Sequence, residues 1–522
     1  MPEAGGSLED ILAAKRAKVA ELRARGLDPY PSRSVKTHST VDVLRLGATL
    51  SGSEHSSQSV SCAGRILQLR DMGKSIFAHV SDAAGRCQVY FKKDALPELE
   101  FLLVKKDLQV GDFIGVSGNV FKTKTGETTV AVASVVLLAK ALRPLPEKWH
   151  GLKDVEIRYR HRHLDLVASE DVRKKFEQRS LIISTIRRTM DRLGFLEVET
   201  PILLPQAGGA AARPFHTHHN ALDADLVMRI AIELYLKRLI IGGFERVYEI
   251  GRIFRNEGID TRHNPEFTMM EAYQAYSDYN GMAELFETLV AECAEALKIS
   301  EVVYGEHKIS LKPPFRRVFL PELWEKQCGD RMENILQGKG FNRECLMLCA
   351  GKLNIPVGGK TPSAKVFERI FDAKILPLLD QLTFVFDHPT AITPLAKLKC
   401  GSQGLVERFE VFAAGQEYAN AYTELNDPQD QRERLQEQAR QRREEGDDEA
   451  DVLDEDFVQA MECGMPPMGG IGVGIDRLVM LLTGQPSIRD VILFPTLKRE
   501  VAPLPSGVEN SRSSGTTPPG AL

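Results

Sequence analysis

No apolar run in the 522-residue chain approaches the roughly 18 residues needed to cross a bilayer, which excludes a helical integral membrane protein. The chain opens Met1, Pro2, Glu3, Ala4 and enters a charged helix rather than the apolar core of a signal peptide, so a cytoplasmic location is expected. Its eight cysteines (62, 87, 293, 328, 345, 349, 400 and 463) are scattered and never form C-x-x-C. That rules out a zinc ribbon or a thioredoxin-type motif and fits a reducing compartment. Cys345 and Cys349 are four apart, one face of a helix, and are expected to be small buried apolar groups. The phosphate-binding P-loop is missing as well. Gly73-Lys74-Ser75 and Gly359-Lys360-Thr361 resemble its end, but the required earlier glycine is Gln68 in one and Asn354 in the other. The glycine-rich GIGVGIDR (470–477) does not fit the dinucleotide fingerprint. Phosphate binding would therefore fall to arginine side chains. His216, His218 and His219 match no common zinc spacing, His161 and His163 lie in a basic connector, and none is assigned to a metal.

What is present is ordinary for a globular chain: 43% hydrophobic and 27% charged residues, which excludes a collagen-like, wholly disordered or disulfide-stapled protein. The length calls for two or three domains. The net charge of −5 is unevenly divided. Residues 1–150 carry 21 Lys and Arg against 16 Asp and Glu, so a +5 front precedes a −10 body, an asymmetry that fits a polyanion partner for the front.

Ser7 and Asp10 form a capping-box pattern that starts a helix over 7–25, with Gly26 as its stop. Its basic residues Lys15, Arg16, Lys18, Arg23 and Arg25 read either as a solvated face or as an RNA-contacting one. The Ser-rich stretch 47–59 reads as a loop or linker. Five short strands follow at 60–70, 75–80, 86–91, 112–121 and 128–132, with a helical segment near 94–106 between the third and fourth. This order matches a five-stranded Greek-key barrel of the OB type, a fold that offers a strand face to single-stranded nucleic acid or serves packing alone. Expected boundaries are 1–58 for the N-terminal helix and linker, 59–145 for the barrel, 146–500 for a larger body and 501–522 for a mobile polar tail. The body opens with a long amphipathic helix, about 171–193, carrying Ile183, Ile186, Met190 and Leu193 at 3–4 spacing. It has no βαβ rhythm and no internal repeat, so it is expected to be an α+β arrangement, an antiparallel sheet flanked by helices. The run 444–456 holds nine acidic residues and reads as an exposed helix end or loop serving solubility.

Two arginines stand in settings suited to phosphate. Arg255 lies in FRNEG (254–258), followed by a basic turn with Arg262 and His263 and then PEFTMME (265–271). If 265–271 is a strand, Phe267, Met269 and Glu271 share one face, and a carboxylate on such a face must be paired or functional. Arg477 opens an apolar helix directly after a glycine-rich strand that admits a flat ligand.

FRNEG with RHNPEFTMME (262–271) resembles motif 2 of the class II aminoacyl-tRNA synthetases, GIGVGIDR resembles motif 3, and the helix ending in GFLEVETP (194–201) resembles motif 1. The finer resemblance is to the class II lysyl-tRNA synthetases of bacterial-type length. It is carried by GGAAARPF (208–215) with THHN (217–220), ELYLKR (233–238), ANAYTELND (419–427) and RDVILFP (489–495), and it covers residues 7–497.

The resemblance implies that lysine and ATP form lysyl-adenylate and pyrophosphate, and that the lysyl group then passes to the 3′ end of tRNA(Lys). It implies Arg255 on the α-phosphate, Arg477 on the γ-phosphate, and adenine between Phe267 and Arg477, with Glu257, His263 and Asn264 also at the nucleotide. It implies Glu410 and Glu417 as carriers of Mg²⁺. Gly209, Glu233, Glu271, Tyr273, Asn420, Tyr422 and Glu424 fall at lysine-binding positions, and Arg70, Phe77, Gln88 and Glu127 at anticodon-reading ones. It further implies a homodimer packed through motif 1. Three glutamates have the wrong sign for an aspartate or asparagine enzyme. The intact Arg255, Glu410, Glu417 and Arg477 argue against a non-catalytic paralogue, and the barrel argues against a protein-lysylating relative. Ile232, where bacterial relatives usually have proline, and Tyr418, where isoleucine is common, depart from the pattern beside the pocket.

Overall fold

The computed structural model describes residues 7–52, 54–145, 154–210, 212–444 and 454–498, with side chains 441–444 excepted. The expected polar tail at 501–522 lies outside the described residues. The chain divides into two compact units, one up to residue 152 and one from 153 onward.

In the first unit, α1 (Leu8–Ala24) starts at the Ser7 capping box, and α2 (Thr40–Ala48) starts at an equivalent box built by Ser39 and Asp42. The barrel consists of β1 (His55–Asp71), β2 (Ser75–Ser81), β3 (Arg86–Lys92), β4 (Phe113–Lys122) and β5 (Thr128–Ala139), closed in the order β1-β2-β3-β5-β4. Period-2 alternation puts Ile76, Ala78 and Val80 of β2 into the core and leaves Phe77 and His79 on the outer face.

Three expectations are corrected here. Residues 55–59 are strand, not linker: their polar side chains give no apolar alternation, but His55 and Ser59 pair with Phe121 and Asn119, and the Val120 N–H donates to Ser56 Oγ at 2.9 Å. The N-terminal helices are part of the barrel unit, because Leu22 and Val43 belong to its core. The basic face of α1 is not wholly solvated, since Lys18 and Arg25 reach the fully buried Asp107 at 2.8 and 2.7 Å.

The second unit is built on an eight-stranded sheet. Its strands are β6 (Leu196–Glu197), β7 (Arg246–Phe254), β8 (Glu266–Ala275), β9 (Arg316–Phe319), β10 (Thr383–Pro389), β11 (Leu405–Ala413), β12 (Gln416–Thr423) and β13 (Met468–Gly474). The spatial order is β9-β10-β11-β12-β13-β8-β7-β6. The six central strands run antiparallel as expected, while both edge strands, β9 and β6, pair parallel with their neighbours.

One face of the sheet is covered by α3 (Glu170–Arg192), by the helix Tyr279–Leu297 and by the helix Ile475–Thr483. Ile182, Ile186 and Met190 are the fully buried residues of α3, while the expected Ile183 and Leu193 are only partly buried at the margin of that stripe. A satellite core of helices Leu320–Cys328, Arg343–Lys352 and Ser363–Lys374 holds Cys349 buried and Cys345 half-buried. Of the acidic run, residues 445–453 lie outside the described residues, and its last residues are structural. Asp454 caps the helix Glu455–Glu462 and pairs with Arg238 at 2.9 Å, and Glu455 pairs with Arg432 at 2.6 Å.

Candidate active site

The opposite face of the sheet, partly covered by the helices Glu233–Ile241 and Glu455–Glu462, forms the floor of a cavity of about 530 Å³. From β8 the alternating Phe267, Met269, Glu271 and Tyr273 all face it, as their spacing requires. Strand β11 contributes Arg408 and Glu410, β12 contributes Glu417, Asn420 and Tyr422 with Glu424 just beyond, and β13 contributes Gly470, Gly472 and Gly474. The basic turn between β7 and β8 brings Arg255, Glu257, His263 and Asn264, and Arg477 enters from the helix after β13. Gly209 and Glu233 close the remaining side. Every body residue expected at the site from sequence thus meets in one cavity.

Glycine is needed here for two different reasons. Gly209 has φ +81°, a left-handed conformation that other residues resist. Gly470 has no conformational need of that kind, but a Cβ on it would lie 2.1 Å from Glu424 Oε1 and 2.5 Å from the Tyr273 ring. The bare strand is what lets both side chains lie against it.

The acidic part of the cavity contains Glu233, Glu271 and Glu424. The Tyr273 hydroxyl donates to Glu271 Oε2 at 3.0 Å, and the Ile232 N–H lies 3.5 Å from Glu271 Oε1, a contact that proline would lack. Burial, reinforced by the charge of Glu233, pushes the Glu271 carboxyl up to about 7. Burial also raises the Glu424 carboxyl, against the opposing pull of Lys237. Lys237 was not anticipated: fully buried behind the recess, it contacts Glu233 and reaches Glu424 Oε2 at 2.5 Å. Burial alone would lower its pKa, but the two carboxylates outweigh that and raise it. A charged Lys237 needs only one of its two carboxylates ionised, so an upward-shifted Glu424 is compatible with it.

The cationic part contains Arg255 and Arg477. The Arg255 guanidinium lies 5.2 Å from the Phe267 ring centroid and is pushed below its ordinary value by burial. Arg477 donates to the Glu417 carbonyl at 3.0 Å and approaches His263 Nε2 at 3.4 Å. His263 Nδ1 is tied to Asp260 at 2.8 Å. The Asn264 amide donates to the Glu266 carbonyl at 2.7 Å and accepts from the Thr496 N–H at 3.3 Å, so it holds the turn in place.

Glu410 and Glu417 are the hard oxygen donors beside these arginines. Burial and then the charge of Glu410 raise the Glu417 carboxyl, the mutual repulsion that a divalent cation relieves. Among the described residues no three His, Cys, Asp or Glu side chains gather into a full metal cage. A pair of carboxylates completed by substrate phosphates suits Mg²⁺, which keeps few protein ligands, so the donor set fits. His218 is instead paired with Asp225 at 2.8 Å on an exposed strand.

Arg408 was also missed. It contacts Glu410, donates to Asn420 Oδ1 at 3.0 Å and to Thr393 Oγ1 at 2.6 Å, and lies 5.7 Å from the centre of the Tyr422 ring. Its position two residues before Glu410 on one strand was the available signal.

In the barrel, Arg70 on β1 sits opposite Phe77 on β2, and Phe77 sits opposite Tyr90 on β3. Phe77 is half-buried and stacks on Tyr90 at 4.7 Å, and Tyr90, Phe121 and His55 continue a row of rings that the sequence reading did not pick out. Gln88 Nε2 donates to Glu127 Oε2 at 2.7 Å, and His79 holds the other oxygen at 2.9 Å.

Residues 154–498 match the family described as tRNA synthetases class II (D, K and N), and residues 60–138 match the OB-fold nucleic acid binding domain. The chain belongs to the class II tRNA synthetases of the D, K and N group. It is similar to the lysine–tRNA ligase of Moorella thermoacetica, 49% identical over 490 residues that cover 94% of this chain and 98% of that protein. It is also similar to the lysine–tRNA ligases of Bacillus cytotoxicus, 48% over 496 residues (94% and 98%), and Shouchella clausii, 48% over 498 residues (95% and 98%).

Proposed function

We infer that this chain is a lysine–tRNA ligase, which joins L-lysine to ATP as lysyl-adenylate and transfers the lysyl group to the 3′ end of tRNA(Lys). The observation that carries the reading is one cavity with three buried glutamates in one part and two arginines in the other. An amino acid with an extra ammonium and a polyphosphate are the ligands such a division of charge favours.

In the first step a carboxylate oxygen of lysine attacks the ATP α-phosphorus and pyrophosphate leaves. The nucleophile is already ionised, so positioning and charge neutralisation matter more than a general base. Arg255 neutralises charge at the α-phosphate and Arg477 at the γ-phosphate. Phe267 and Arg477 bracket the adenine, with Glu257 and His263 beside the nucleotide and Asn264 holding the turn. Glu410 and Glu417 would hold Mg²⁺, which supplies positive charge to the phosphate oxygens. Glu233, Glu271 and Glu424 take the ammonium groups of lysine. Tyr273 and Tyr422 flank the alkyl stem, Asn420 lies beside them, and Gly209 leaves room at the α-amino end. In the second step a ribose hydroxyl of the tRNA attacks the adenylate carbonyl and AMP leaves.

In the barrel, Phe77 stacks an anticodon base while Arg70, Gln88 and Glu127 address base edges. Homodimer formation through motif 1 is supported by exposed Leu196, Ile202, Leu203 and Phe244 around the two-residue edge strand β6. A cytoplasmic location is supported by eight unpaired thiols. No helix among the described residues is long and apolar enough to cross a membrane. The deciding experiment is ATP–pyrophosphate exchange with each of the twenty amino acids, followed by charging of tRNA(Lys). Lysine alone is expected to drive exchange, and exchange with aspartate but not lysine would sink the reading.

A further inference from the structure

We infer that Lys237 is a positioning residue for lysine recognition, a built-in counter-ion that aims Glu233 and Glu424 and matches the charge of the recess to the two ammonium groups of free lysine. This rests on the lysine–tRNA ligase reading.

Lys237 follows Glu233 by four residues on the helix Glu233–Ile241, so both side chains share one face. Its ammonium touches Glu233 on its own helix and Glu424, just beyond β12, at 2.5 Å. The Tyr273 and Phe457 rings each have their centres 5.9 Å from it and wall it in. It is fully buried and does not line the cavity, whereas Glu233 and Glu424 do. Lys237 therefore touches no ligand and acts through the two carboxylates. Glu424 Oε2 faces Lys237, while Oε1 has no hydrogen-bond partner within the chain and lies against the bare backbone of Gly470. The ion pair with Lys237 anchors Oε2, and Oε1 has no partner within the chain.

The charge count gives this arrangement a purpose. With all three ionised, as lysine binding favours, Glu233, Glu271 and Glu424 carry three negative charges, Lys237 offsets one, and free lysine brings an α- and an ε-ammonium. The remaining titratable neighbours, Tyr273 and Tyr422, are held as neutral phenols by burial, which raises both. Without Lys237 the recess would hold three carboxylates, and Glu233 and Glu424 would have no cation in contact with them. Unpaired buried carboxylates take up protons, and those protons would have to leave before lysine could bind. Lysine affinity would then fall at neutral pH and recover as the pH rises.

The test is lysine and ATP binding by calorimetry from pH 6 to 9, on the full chain and on Lys237→Gln, which keeps a hydrogen-bond donor and most of the volume. Lysine affinity at pH 7 is expected to fall roughly thirtyfold or more, as for loss of one partner of a buried charge pair. ATP affinity should stay within about twofold, since no phosphate-binding group is altered. The fall should narrow toward pH 9. Lys237→Ala supplies an independent arm, because ethylammonium can enter the vacated space and should restore lysine binding. An unchanged lysine affinity and pH slope, equal loss for lysine and ATP, or no rescue by ethylammonium would each overturn the inference. Absence of lysine binding by the unaltered chain would instead overturn the lysine reading on which it rests.

Discussion

Glu417 faces the same cavity as Glu410 because Tyr418, its neighbour, has no residue opposite it. Val411 pairs with Ala419 and Phe412 pairs with Glu417, so Tyr418 is the extra residue of a β-bulge. Strict alternation would send Glu417 to the face opposite Asn420 and Tyr422. The bulge turns it back, and the Tyr418 ring drops into the core on the far side of the sheet. Two carboxylates are thereby brought near the arginines.

Glu417→Gln is expected to lower lysine-dependent exchange at least a hundredfold, about 3 kcal/mol of lost charge stabilisation, and to raise the Mg²⁺ concentration needed for half-maximal rate. Folding stability should not fall, because a buried carboxylate already raised by its surroundings becomes a neutral amide. A magnesium titration of the exchange rate decides the point; an unchanged requirement would remove Glu417 from the metal site.

Tyr418→Phe separates the bulge from the hydroxyl. The Tyr418 hydroxyl is buried without a hydrogen-bond partner. Its removal should stabilise the chain by about 1 kcal/mol, with the bulge and the exchange rate intact. A denaturant melt showing lower stability would mean that the hydroxyl has a partner after all.

The bulge also marks where sequence reasoning stopped. Phe267, Met269 and Glu271 could be placed on one face from their spacing, since an unbroken strand keeps its period of two. Glu417 could be placed only through the family resemblance, since one inserted residue inverts the alternation without leaving a compositional trace. Lys237 and Arg408 were hidden for another reason: the local pairings with Glu233 and Glu410 are legible from spacing, but their burial and their contacts with Glu424 and Asn420 join distant segments and cannot be read from either segment alone. The strand at 55–59 escaped because its Ser and Gln residues pair through backbone and hydroxyl groups rather than through an apolar stripe.

Gly470→Ala tests how closely the recess is shaped. The added methyl would meet Glu424 Oε1 and the Tyr273 ring well inside contact distance, so both must shift. The KM for lysine should rise about a hundredfold, the penalty for displacing positioning groups by roughly 1 Å, with the KM for ATP nearly constant. Parallel changes in both constants would indicate general damage to β13 instead.

The role proposed for Glu271 would link lysine binding to pH. Its carboxyl is raised from the ordinary 4.5 to about 7 in the folded chain. Between those values the folded form keeps a proton that the unfolded form has lost, so stability should fall as pH rises through the window, by about 3 kcal/mol in total. Lysine binding favours the ionised carboxylate, so lysine affinity should rise with pH up to about 7 and then level off as far as this group is concerned. Glu271→Gln should flatten both profiles. Melting curves from pH 5 to 8, with and without lysine, give the sign directly, and stability that increased over that range would contradict the assignment.

Phe77→Ala addresses the barrel by itself. Phe77 is half-buried on the outer face, while its strand neighbours Ile76 and Ala78 carry the core, so removing the ring should leave the barrel folded. The vacated surface lies beside Tyr90, whose ring stacks on Phe77 at 4.7 Å and 23°. Loss of one base-stacking ring costs about 1–3 kcal/mol, so the KM for tRNA(Lys) in aminoacylation should rise roughly tenfold or more. Lysine-dependent ATP–pyrophosphate exchange needs no tRNA and should be unchanged. Only a barrel residue that contacts tRNA gives that split. An equal loss in the two assays would trace the effect to folding, and no loss in either would take Phe77 out of the anticodon surface.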